Sequence, residues 1–206
     1  LVGENNYNQR IFSAAATAYE ELLQRYPHGK YGDSALYALA WCKFEQEDMN
    51  SGVATMATLV GEYPQSEFAA KAQFTVGDFH YNNRNYDQAL EAYALLIENY
   101  PSSPEAPRAK LLVDELSEIE ASLHYGKVMK EFEAKKYDLA ITGFREIIEK
   151  YPETYTQLAA YCNLGLTYEI LRKWPEAVEH YDQTLSKGRD DIENSDVVNF
   201  ARLHRN

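Results

Sequence analysis

Apolar and small residues recur along the chain with helical spacing, in stretches that end on the same dipeptide. From Ala15 the series continues at i+4, i+7, i+8 and i+11 as Tyr19, Leu22, Leu23 and Tyr26, and from Ala89 as Tyr93, Leu96, Ile97 and Tyr100. Each series lays one apolar stripe along a helix. Both close on Tyr-Pro, a pair found at Tyr26-Pro27, Tyr63-Pro64, Tyr100-Pro101 and Tyr151-Pro152, at intervals of 37, 37 and 51 residues. Proline cannot continue the helical hydrogen-bond ladder. The polar residues behind it, Gln65-Ser66 and Ser102-Ser103, can accept from the free amides that open the next helix. Every Tyr-Pro therefore predicts a turn between helices.

After each turn a second helical pattern runs for about 14 residues. Ala69, Ala72, Phe74, Val76, Gly77, His80 and Tyr81 carry it in one case, and Asn82-Asn83-Arg84-Asn85 stops it. The unit is helix, short turn, helix. Small residues recur at equivalent places, Ala35, Ala72, Ala109 and Ala160 near the start of the first helix and Ala15, Ala89, Ala140 and Ala177 near the start of the second. Helix axes approach within about 8 Å only where the contacting side chains are small, so this placement suits tightly packed antiparallel pairs.

The unit resembles the tetratricopeptide (TPR) motif. Residues 158–189 carry Tyr161, Leu164-Gly165, Tyr168, Ala177 and Tyr181 in that pattern, and residues 70–101 carry Val76-Gly77, Tyr86, Ala89, Tyr93, Leu96 and Pro101. Residues 137–152 add Tyr137, Ala140, Phe144, Ile147 and Pro152; residues 33–64 match more weakly, through Ala40 and Gly52. The resemblance implies an all-α fold, a right-handed superhelical solenoid of antiparallel helix pairs. The expected organisation is an N-terminal block over 1–104 (a partial first repeat, then 33–69 and 70–104), a long connecting helix over 105–135, and a C-terminal block over 136–206 ending in a partial repeat.

The connecting helix follows from the one irregular interval. It exceeds the period by 14 residues, close to four helical turns, and the stretch from Pro107 to Lys135 has no later proline and one glycine, Gly126. A single extended helix keeps Leu112, Leu116, Ile119 and Leu123 nearly in phase; a separate extra helix broken near Gly126 is the alternative. Pro104 and Pro107 suit first-turn positions, where a missing amide donor costs little. The repeat phase puts Leu1 inside a first helix and Ser195 to Asn206 at the start of a further repeat, so both ends are expected to belong to a longer chain.

Composition narrows the functional classes. A formal charge of -12 argues against tracking nucleic-acid phosphates. No apolar stretch reaches 18 residues, so direct membrane insertion by this segment is not expected. Cys42 and Cys162 stand far apart with no ligand-spaced neighbour and read as small buried hydrophobes. No nucleophile elbow, phosphate loop, dinucleotide fingerprint or zinc-protease pair occurs, and the five histidines are scattered, so no catalytic, cofactor or metal residues are expected.

In TPR proteins the first helices line a concave groove, and the resemblance implies which residues face it here. They are Ser34, Tyr37, Trp41 and Phe44, then Lys71, Phe74, Asp78 and Tyr81, then Ser122, Tyr125, Met129 and Phe132. The candidate partner-binding residues are Tyr37, Trp41, Phe44, Phe74, Asp78, Tyr81, Tyr125, Met129 and Phe132, a set rich in aromatic anchors that suits an apolar peptide or helix. These rings can equally pack between helices. The Lys, Asn and Arg cluster with which some TPR proteins hold acidic chaperone tails is represented only by Lys71 and Asn163, which disfavours that ligand. Glu115, Glu118 and Glu120 read as a solvated helix face.

The Tyr-Pro-x-Ser endings in repeats longer than 34 residues resemble bacterial envelope TPR proteins, such as the periplasmic partner of the Tol-Pal system and the lipoprotein of the outer-membrane assembly machinery. That implies a non-catalytic protein-binding scaffold, periplasmic or outer-membrane-associated, with a cytoplasmic location as the alternative. A regulatory or substrate-docking arm of a larger enzyme is the competing function, and self-association through the aromatic groove stays open.

Overall fold

A computed structural model describes residues 2–187 and 196–205, and all regular structure among them is helical. The helices are α1 (Val2–Asn8), α2 (Phe12–Arg25), α3 (Gly32–Glu45), α4 (Met49–Glu62), α5 (Ala69–Asn82), α6 (Tyr86–Asn99), α7 (Ala106–Glu133), α8 (Tyr137–Lys150), α9 (Tyr155–Ile170), α10 (Trp174–Lys187) and α11 (Asp196–His204). The chain forms two compact units, residues 1–113 and 114–206, whose division falls inside α7. Leu1, Ser195 and Asn206, on which the expected partial end repeats partly rest, lie outside the described residues.

Two kinds of turn alternate. Between pairs, Tyr26, Tyr63, Tyr100 and Tyr151 hold φ between -135° and -122°. Their amides donate to the carbonyls of Leu22, Leu59, Leu96 and Ile147 at 2.8–3.0 Å. The following proline excludes the helical region for the tyrosine and ends each helix at the same step. Ser66 Oγ then accepts from the Phe68 amide at 3.1 Å and Ser103 Oγ from the Ala106 amide at 3.2 Å, as the polar residues behind proline predict.

Within pairs, Arg10, Glu47, Arg84, Lys135 and Arg172 all adopt left-handed backbone, with φ between 58° and 62°. Each next amide reaches back five residues, for example Asn85 to the His80 carbonyl at 2.9 Å and Lys173 to the Tyr168 carbonyl at 2.9 Å. This is the Schellman ending, built here without glycine.

In the first unit, Ala40, Met56, Leu59, Ala69 and Ala72 form a core that is entirely closed to solvent. In the second, Ala121, Ala140, Phe144, Ile147, Ala160, Leu164 and Tyr181 do so. Glycine marks the closest helix approaches. A Cβ on Gly77 would stand 2.4 Å from the Tyr93 ring, and one on Gly165 would stand 2.8 Å from the Tyr181 ring.

The extended helix is continuous through Gly126, which excludes the broken alternative. Its apolar stripe departs from the expected one. Leu116 is buried, but Leu123 is 62% exposed, because the second half of α7 packs through Ala121, Tyr125, Val128 and Phe132. Leu123, two residues from Ala121, points about 200° round the helix.

Candidate functional site

In the first unit, α3 presents Tyr37, Trp41 and Phe44 at successive turns, all partly exposed. Trp41 stands edge-on to both neighbours, with centroids 6.2 Å from Tyr37 and 5.4 Å from Phe44. Phe68, at the entry to α5, stacks on Tyr37 at 4.7 Å and 19°, so four rings form one run. Lys71 holds its Nζ 5.7 Å from the Tyr37 ring centre, and its hydrogen bond to Tyr37 raises the ammonium pKa.

The equivalent positions of α5 have another environment. Phe74 is only 7% exposed, 5.5 Å from Tyr93 and beneath the Arg108 guanidinium at 5.0 Å. Asp78 Oδ1 accepts from the Tyr93 hydroxyl at 2.6 Å; burial first, and then this bond, push the Tyr93 pKa up. Tyr81 is half-buried, with its ring 6.2 Å from Tyr86.

In the second unit, Tyr125, Met129 and Phe132 pack partly buried on the core around Phe144. The Tyr125 hydroxyl accepts from Asn163 Nδ2 at 2.6 Å, and burial pushes its pKa up to about 12. Asn163 thus serves a tyrosine within the unit. Phe132 lies 6.3 Å from Phe144 and 5.9 Å from Tyr137.

The structure therefore brings Tyr37, Trp41 and Phe44 together as a run of partly exposed rings packed against the core of the first unit, with Phe44 over Gly52, and packs Phe74 further inward. Phe68 joins the run although it was not among the sequence candidates. The legible signal was an aromatic at the same helix entry one period earlier, Tyr31. Glu118, read as part of a solvated face, instead crowns α9. Its carboxylate accepts from the Tyr155 amide at 2.7 Å, the Thr156 amide at 3.1 Å and the Thr156 hydroxyl at 2.5 Å. A carboxylate at a helix N-terminus answers both the free amides and the helix dipole.

Near the start of the first unit, Glu4, Tyr19, Leu22, Tyr31, Ser34 and Ala35 line an open cavity of about 780 Å³. Among the described residues no cluster of three or more His, Cys, Asp or Glu side chains is placed to hold a metal ion, and no helix is long and apolar enough to cross a membrane.

The sequence profile of the YfiO family, described as outer membrane lipoprotein, matches residues 2–181. The chain belongs to this family. No curated protein matches it. Among solved structures, this YfiO-family chain resembles MamA (19% identity, 91% of this chain and 94% of that one, TM-score 0.41). It also resembles the TPR2AB domain of yeast Sti1 in its pHSP90 complex (16%, 99% and 79%, TM-score 0.46). A third is a tetratricopeptide repeat protein from Parabacteroides merdae (10%, 97% and 96%, TM-score 0.45).

Proposed function

We propose that this YfiO-family chain is a non-catalytic scaffold of a bacterial envelope assembly, periplasmic or outer-membrane-associated, that binds a peptide or helix of a partner protein on the aromatic faces of its first helices. The observation that carries this reading is the partly exposed run of Tyr37, Trp41, Phe44 and Phe68 on the first unit. Such rings become anchors when a partner desolvates them, at ~2 kcal/mol or more apiece at a hot spot. Asp78, Tyr81, Met129 and Phe132 flank that role on their own helices, while Phe74 and Tyr125 support the packing beneath. The family description supports the envelope location.

A photo-crosslinking residue at position 37, in a bacterial envelope extract, tests the reading against the same residue at Glu91, an exposed site on α6. One dominant adduct from position 37 and none from 91 is expected. Tyr37→Ala with Trp41→Ala should then weaken binding of that partner ~30-fold or more, with the helical signal retained. Equal labelling from both sites, or loss of the fold in the double variant, sinks the proposal.

A further inference from the structure

We draw no further inference here: the strongest candidate, the uncharged face of α4 on which Asn50, Ala54, Ala57, Thr58 and Gly61 lie exposed, is a stripe of small residues, and nothing in the structure shows what covers it.

Discussion

Replacing Gly77 by alanine adds one methyl group where the first unit has no room for it. An ideal Cβ there meets three atoms of the Tyr93 ring at 2.4, 2.6 and 3.0 Å. Ordinary carbon contacts lie at about 3.5–4.0 Å, so the ring must retreat by roughly 1 Å. It has nowhere to go. Tyr93 is fully buried, Phe74 lies 5.5 Å away, and the Tyr93 hydroxyl is tied to Asp78 at 2.6 Å. Overpacking of this kind costs about 1–3 kcal/mol, and a pinned ring points to the upper end. Alanine recovers about 1 kcal/mol of helix propensity, leaving a net loss of about 2 kcal/mol. Gly126→Ala isolates the second effect. It lies inside α7, is exposed, and its Cβ would meet nothing within 4 Å, so a gain of up to about 1 kcal/mol is expected. Urea denaturation followed by circular dichroism reads both changes. Gly77→Ala as stable as wild type, or Gly126→Ala less stable, would refute the assignment of these glycines to steric and non-steric roles.

Glu118→Ala should destabilise the second unit by about 1–2 kcal/mol in the same assay, because the Tyr155 and Thr156 amides lose their acceptor at the start of α9. Arg84→Gly should raise stability by about 0.5–1 kcal/mol, since φ of 60° strains any residue with a Cβ and glycine relieves it despite its freer unfolded chain. Tyr125 should ionise near pH 12 in the folded protein, read as the tyrosinate absorbance missing from a Tyr125→Phe difference titration. Because burial raises its pKa above the unfolded value of about 10, its contribution to stability is intact below pH 10 and is lost as pH rises toward 12. The Cys162 thiol, pushed up to about 12 by burial, should resist a thiol-specific reagent at pH 8 until the second unit opens.

The repeat and its helices were legible because their signals are local. Tyr-Pro fixes a backbone step within two residues, and α7 could be read as one helix because no proline or polar turn interrupts it after its first turn. The Schellman turns were not legible as such: the usual glycine is absent from the left-handed position of each of the five turns within pairs, and Arg, Glu and Lys give no local sign of a positive φ. Glu118 was misread because its role depends on Tyr155 and Thr156, some 37 residues away, and no helical period links them. The candidate rings show a different gap. Tyr37 and Phe74 occupy the same repeat position and each meets a cation from the next first helix, Lys71 and Arg108, yet Phe74 lies against the large Tyr93, where the residue one period earlier is the slimmer Met56. Repeat register predicts which face a residue takes, and neighbouring volumes decide whether it reaches solvent.

The division of labour between the two kinds of turn also bears on how such an array can diversify. The Tyr-Pro turns dictate their own sequence, because the backbone step depends on the proline. The turns within pairs hold their backbone through main-chain hydrogen bonds and left-handed residues of differing charge. A lineage can therefore rewrite the inner turns one at a time, acidic in one pair and basic in another, without disturbing the helices on either side. For a protein engineer these tips are the natural sites to graft a recognition loop, and the tyrosine-proline corners are the ones to leave alone.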